Sequence, residues 1–202
     1  MDEIVLRGMA KWPNVPAVFG WLSLDRRGDW LIKGDRIAHP ALSAYISRNY
    51  EHDDEGRWFF QNGPQRVFVA LDYTPLVYRI VSADNEPLAL ACHTGKPVAM
   101  VRAAWLDDNG TLLLQTERGI GLVHDRDLCL LFPYLIDANG TPLPEDVLAG
   151  ILDRLQQKRP APLWLKFHDA HVRIEAILSA AVPGRFGFVV RPQQPAGQEQ
   201  CC

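Results

Sequence analysis

Four times along this chain an acidic residue is followed three positions later by glycine, with apolar or alternating runs on both sides. The copies are WLSLDRRGDWLI around Asp25 and Gly28, HDDEGRWFF around Asp53 and Gly56, AWLDDNGTLLL around Asp107 and Gly110, and YLIDANGTPL around Asp137 and Gly140. An aspartate side chain hydrogen-bonds the backbone of a tight turn, and glycine accepts positive φ without a Cβ clash, so each copy predicts two runs joined as a hairpin. Three copies also share an aromatic-leucine pair before the acid, Trp21-Leu22, Trp105-Leu106 and Tyr134-Leu135. The intervals between copies are uneven, and recurrent hairpin chemistry accounts for the likeness without duplication.

Between these turns the pattern predicts strands at Phe19 to Leu24 and Asp29 to Lys33, then a helix over Pro40 to Asn49, with proline in its first turn. Arg57 to Gln61 and Arg66 to Leu71 form the next hairpin through Asn62-Gly63-Pro64, and Pro75 breaks the chain before LVYRIVSA. Further strands are expected at Leu88 to His93, Val98 to Leu106, Thr111 to Thr116 and Gly119 to Val123. A helix follows at Glu145 to Gln157, with acids in its first turn and Val147, Leu148, Ile151, Leu152 and Leu155 at helical spacing. Strands at Leu163 to Phe167, His171 to Ile177 and Gly187 to Arg191 close the chain. The expected fold class is α+β: strand-rich, with two small subdomains built from antiparallel hairpins and one main helix each. The aromatic-rich first subdomain is expected at residues 1–84, a β-rich second one at 85–192 with its helix near 145–157, and a flexible tail at 193–202.

A chain of 202 residues with 48% hydrophobic and 22% charged residues is ordinary for a globular protein. A net charge of −3 without a basic cluster gives no field that would draw nucleic acid or an anionic membrane, so neither is an expected partner. The opening MDEIVLRGMAKW lacks the regions of a secretory signal, and no apolar run approaches a membrane span, so the expected location is cytoplasmic. Cys92 and Cys129 sit singly in apolar stretches and read as buried small hydrophobes. Cys201 and Cys202 end a polar tail, where a terminal pair can signal prenylation or bind soft metals.

The aromatic residues crowd the first 80 positions, and most of Trp21, Trp30, Trp58, Phe60, Phe68 and Tyr78 are expected in the core. In Arg57-Trp58-Phe59-Phe60, strand alternation puts Trp58 and Phe60 on one face and Phe59 on the other, so Phe59 needs a second cover. The residues in excess of a core hairpin are Phe59, Gln61, Arg66 and Tyr73, to which Tyr50 and the turn residue Asn62 are added as contact candidates. If exposed together they form a contact surface; if covered, the stretch is architecture.

The run from Gly20 to Val81 resembles the opening of a bacterial family of unknown function, the domain-of-unknown-function 1285 family. The positions that carry the likeness are Asp25, Gly28, Trp30, Gly34, Ile37, Pro40, Asp72 and Pro75, a turn, a Pro-led helix and a strand ending in an acid followed by proline. The likeness covers roughly residues 19 to 81 and implies a two-domain α+β or mostly β fold with no established activity. The second half, ERGIGLVHDRD included, carries none of it.

No nucleotide loop, serine elbow or H-E-x-x-H motif is present. Arg118-Gly119-Ile120-Gly121 lacks the following helix that would aim amides at an anion, and reads as a turn or bulge. No cofactor or resident metal is expected. Two function classes follow. The first is a noncatalytic ligand- or protein-binding module using an aromatic and polar groove between the subdomains, lined by Tyr50, Phe59, Gln61, Asn62, Arg66 and Tyr73, for an unknown small molecule or protein partner. The second is a metal-dependent hydrolase using His124, Asp125 and Asp127 with His168 or His171, which requires those groups to converge. The same aromatic patch would equally serve as a homodimer contact.

Overall fold

A computed structural model describes residues 1–11, 15–82, 86–157, 159 and 161–195. The chain divides into two compact units, Met1–Pro75 with the segment from Gly187, and Leu76–Phe186. The first unit runs α1 (Glu3–Lys11), β1 (Val18–Leu24), β2 (Trp30–Ile32), β3 (Asp35–Arg36), α2 (Pro40–Arg48), β4 (Tyr50–His52), β5 (Trp58–Asn62) and β6 (Gln65–Leu71). Its six strands form one sheet in the order β3-β2-β1-β6-β5-β4, in which β1 and β6 run parallel and every other neighbour is antiparallel.

Local chemistry explains α2. His39 caps it, its Nδ1 accepting from the Leu42 N–H at 3.4 Å, and Pro40 supplies a pre-set φ where no amide is needed. The helix lies on the sheet face that carries Trp30 and Phe60. Trp30 Nε1 donates to Ser47 Oγ at 3.0 Å, and the Tyr45 ring meets Phe60 edge-on. The opposite face carries the second cover that Phe59 requires: Phe19, Phe59 and Phe68 pack as one buried cluster.

The second unit runs β7 (Leu76–Ile80), β8 (Leu90–Cys92), β9 (Val101–Asp107), β10 (Leu112–Thr116), β11 (Gly119–Val123), a 3₁₀ helix Asp125–Tyr134, β12 (Leu135–Ile136), α3 (Glu145–Gln156), β13 (Trp164–Phe167), β14 (Ala170–Ile177), a 3₁₀ turn Ser179–Ala181 and α4 (Val182–Phe186). The sheet order is β12-β13-β14-β9-β10-β11-β7-β8. Gly121 is a packing requirement of this sheet rather than part of a phosphate loop. A Cβ there would lie 2.6 Å from the Tyr78 ring, which is fully buried with its hydroxyl 2.7 Å from Thr116 Oγ1.

The strand-rich α+β class is as expected, and the strand order reveals what the sequence reading set aside. Without β7 and β8, the second sheet repeats the first: β4-β5-β6-β1-β2-β3 corresponds to β12-β13-β14-β9-β10-β11, with the same parallel pair at its centre. Registers agree as well. Leu24 pairs with Trp30 and Leu71, and Leu106 pairs with Leu112 and Ala176. The second unit departs by inserting α3 between the Asp137 turn and β13, where the first unit passes from the Asp53 turn straight into β5.

The four turns share one geometry. In each, the Asp Oδ1 accepts two backbone amides: Arg27 and Asp29 at Asp25, Glu55 and Arg57 at Asp53, Asn109 and Thr111 at Asp107, Asn139 and Thr141 at Asp137, all at 2.8–3.1 Å. The glycines that complete them have φ between +74° and +83°, the left-handed region that a side chain disfavours.

Several expectations change. The helix α1 is not foreseen, Cys129 is exposed rather than buried, and Gly187 to Arg191 forms no strand. In the 3₁₀ helix the three-residue repeat turns Leu128 and Leu131 inward and leaves Cys129 and Leu130 outside. The segment after Gly187 still pairs locally, with Val189 N–H donating to Gly56 O and Leu71 N–H to Val190 O, but these two bonds make no ladder. Residues 83–85, which hold the expected boundary between the subdomains, and Cys201 and Cys202 lie outside the described residues. Among the described residues no helix is long and apolar enough to cross a membrane.

Candidate functional site

A break in the pairing of β1 with β6 accompanies a concavity in the first unit. Val18 pairs with Val67, but Leu22, not Gly20, pairs with Val69, so β1 carries two residues more than its partner over this stretch. Gly20, at φ +73°, absorbs the distortion. Trp21 and the adjacent Leu22 consequently both line a groove of about 510 Å³ between the sheet and α2. Val18, Phe60 and Val67 continue the sheet side, and Leu42, Tyr45 and Ile46 of α2 form the facing wall.

The groove has distinct ends. Asn62 and Gln65, paired across the Gly63-Pro64 turn, supply polar groups, and Gln65 Nε2 donates to Pro16 O at 3.2 Å. At the rim Trp21, Ile32 and Leu42 remain 46%, 40% and 37% exposed. The turn between β2 and β3 places Lys33 Nζ 4.0 Å above the Trp21 ring, a cation–π contact at the rim.

Of the six contact residues expected from the sequence, four are interior. Phe59 belongs to the core cluster, Tyr50 donates its buried hydroxyl to Pro75 O at 3.1 Å, Gln61 is buried with Nε2 donating to Gly63 O at 2.8 Å, and Tyr73 is buried beneath the Arg26 guanidinium. Arg66 is exposed, with its guanidinium 4.6 Å from the Phe59 ring centroid. Asn62 is exposed and lines the groove. Strand alternation separates these residues: Asn62 shares the α2 side with Phe60, whereas Phe59 belongs to the opposite face. Sequence reading missed Trp21, Ile32, Leu42 and Tyr45 as a group. The available signal was Gly20, since an isolated glycine inside a strand pattern marks a bulge.

In the second unit His124 and Asp127 are buried and already engaged. Arg79 donates to both Asp127 oxygens at 2.6 and 3.1 Å, and the Ile80 N–H adds a third bond at 3.0 Å. Burial pushes the Asp127 carboxyl up, but these hydrogen bonds outweigh it and hold the group below the usual carboxylate range. His124 caps the 3₁₀ helix, its Nδ1 accepting from Arg126 N–H at 3.1 Å, and burial, then the Arg79 charge, lowers its proton affinity. Asp125 is exposed. His168 sits in the β13–β14 turn at φ +51° against the Phe167 ring, and the His171 ring lies beside Gly140. Among the described residues no three His, Cys, Asp or Glu side chains come together as a metal-ligand group. The convergence that the hydrolase reading requires is not formed among them.

The family model DUF2944, described as "Protein of unknown function (DUF2946)", matches residues 1–193. A DUF1285 family protein from Silicibacter pomeroyi DSS-3 is similar in structure, with a TM-score of 0.54 at 13% identity, over 81% of this chain and 85% of that one. The likeness in fold therefore extends well beyond the N-terminal stretch that the sequence resemblance covers. A DUF1285 family protein from Shewanella baltica OS155 aligns with a TM-score of 0.42 at 20% identity, over 55% of this chain and 88% of that one. No curated protein matches the chain.

Proposed function

This chain belongs to the DUF2944 family of proteins of unknown function, and we propose that it is a noncatalytic binding module whose contact surface is the groove between α2 and the sheet of the first unit. The observation that carries this reading is the groove's make-up: an apolar channel of about 510 Å³ with large side chains left at its rim and two amide side chains at one end. That volume falls among small-molecule sites, which combine apolar walls with a few polar groups that fix orientation. Among the described side chains lining it only Tyr45 is titratable, so the surface suits recognition better than proton transfer.

A thermal-shift screen of the full chain against aromatic and aliphatic ligands tests the reading. A ligand at about a hundred times its Kd stabilises the folded state by about 2.7 kcal/mol, a readily measured rise in Tm. Ile32→Asp and Trp21→Ala are expected to abolish that rise, because both residues stand at the groove's rim. Stabilisation retained in both variants would place the ligand elsewhere and overturn the proposal.

A further inference from the structure

The second unit has a hollow of its own, at the place where the first unit seats α1. In the first unit Asp2 N–H donates to Asn49 Oδ1 at 2.7 Å, and Gly8 packs on the Gly63-Pro64 turn, a Cβ there standing 3.5 Å from Pro64 Cδ. Registers carry this seat into the second unit. Tyr50 pairs with Phe60 as Leu135 pairs with Leu165, which matches Asn49 with Tyr134. Gln61 pairs with Arg66 as Lys166 pairs with His171, and the two-residue turns that follow match Gly63-Pro64 with His168-Asp169.

Among the described residues of the second unit no helix precedes β9, the counterpart of β1, and the seat is open: Tyr134, Lys166, His168 and Asp169 line a hollow of about 530 Å³. Gln61 is 1% exposed, whereas its counterpart Lys166 is exposed. The segment before β8 adds Glu86, Pro87 and Leu88 to the lining, held there by the Tyr134 hydroxyl, which donates to Glu86 O at 2.5 Å. Charges of both signs therefore share this hollow. Among the described residues none of Lys166, Asp169 and Glu86 is in an ion pair, with one another or with a third group. His168 adds an imidazole at φ +51°, where its counterpart Gly63 has φ +56°. Glycine takes that conformation without strain, and a strained side chain at a cavity wall marks a position kept for its chemistry.

We propose that this hollow binds a zwitterionic small molecule of the amino-acid class. Its carboxylate meets Lys166 and His168, its ammonium meets Asp169 and Glu86, and its apolar side chain lies against Pro87, Leu88 and Pro133. The volume falls among small-molecule sites, and unpaired charges of both signs beside apolar walls complement a ligand that carries both. The site is formed wholly by the second unit and does not rest on the groove of the first.

The test is isothermal titration calorimetry of the full chain with leucine and phenylalanine. The controls are the deaminated acids isocaproate and phenylpropanoate and the decarboxylated amines isoamylamine and phenethylamine. Each amino acid is expected to bind roughly tenfold more tightly than its acid or its amine, because each control lacks one charge-assisted contact. Lys166→Ala and Asp169→Ala are each expected to weaken binding by roughly tenfold. His168→Gly, which suits the backbone, is expected to weaken binding without lowering Tm. These three positions are exposed, and melting curves check the folding of each variant. An acid that binds as tightly as its parent amino acid would make the hollow a plain anion site and overturn the zwitterion. Binding unchanged in Lys166→Ala and Asp169→Ala but lost in Ile32→Asp would assign the ligand to the groove and overturn this site. No binding by either amino acid would also overturn it, leaving the groove reading untouched.

Discussion

Replacing Gly56 with alanine tests how the segment after Gly187 is held in the first unit. Gly56 has φ +74°, so a Cβ costs about 1 kcal/mol in backbone strain before any contact is counted. That Cβ would also stand 2.0 Å from Gly187 O and 3.1 Å from Phe188 Cα, separations that backbone atoms cannot keep. Relief requires the segment to lift, which breaks the bonds from Val189 N–H to Gly56 O and from Leu71 N–H to Val190 O, each worth about 1 kcal/mol. The expected loss is therefore about 3 kcal/mol. Gly34→Ala is the control in the same unit: its φ is +90° and nothing lies within 4 Å of the added Cβ, so about 1 kcal/mol is expected. Urea titrations of both variants give the difference directly, and for a chain of this size each kcal/mol lowers Tm by roughly 2–4 °C. Equal losses in the two variants would refute the seating of this segment on the Asp53 turn.

Asp107→Ala removes the buried acceptor of two partly buried amide hydrogen bonds and is expected to cost about 2 kcal/mol in a urea titration, with Asp107→Asn, which retains one side-chain oxygen, losing less. His93 is held neutral by burial, its pKa lowered to about 3, while in the unfolded chain it titrates near 6.5. As pH falls below about 6.5 the unfolded chain takes up a proton that the folded chain refuses, so stability drops by up to about 1.4 kcal/mol per pH unit. His93→Gln is expected to flatten the stability profile between about pH 6.5 and 4.5, leaving a smaller slope from His124, and an unchanged profile would contradict the assignment. Arg79→Met strands the buried Asp127 carboxylate and is expected to cost about 2 kcal/mol at neutral pH, discounted because Arg79 is half exposed; adding Asp127→Asn should recover part of it in a double-mutant cycle.

Features written in short-range chemistry were legible in the sequence. The four Asp turns, the Pro-led start of α2 and the acidic first turn of α3 need only neighbours within a few positions, and each is present. Helix α1 escaped because Ile4 and Leu6, exposed on either side of the buried Val5, make a continuous apolar run that hides the helical period of Val5 and Met9. The groove escaped because it depends on the parallel pairing of β1 with β6 and on the distortion at Gly20, neither fixed by local propensity. The repeat escaped for a related reason. Corresponding positions keep apolar character rather than identity, as in Leu22 with Ala104 and Leu71 with Ala176, and periodicity does not report pairing. The two Asp turns within each unit are spaced almost alike; the long interval between units made the copies look unrelated.

The correspondence between the units also separates an open face from a sealed one by stability alone. Ile32 and Leu114 occupy matching register positions, but one faces the groove and the other the interior. Lysine at position 32 can keep its ammonium in water while its stem lies along the groove, so Ile32→Lys is expected to cost about 1 kcal/mol or less. Leu114→Lys places the ammonium where no side-chain surface reaches solvent, and more than about 4 kcal/mol is expected. Urea titrations of the two variants measure the contrast. Comparable losses would mean that position 32 is already covered, and the groove would then be part of the core. A large contrast would mean that the exposed apolar rim contributes little to the fold of the unliganded chain, so that its apolar character answers to something other than stability.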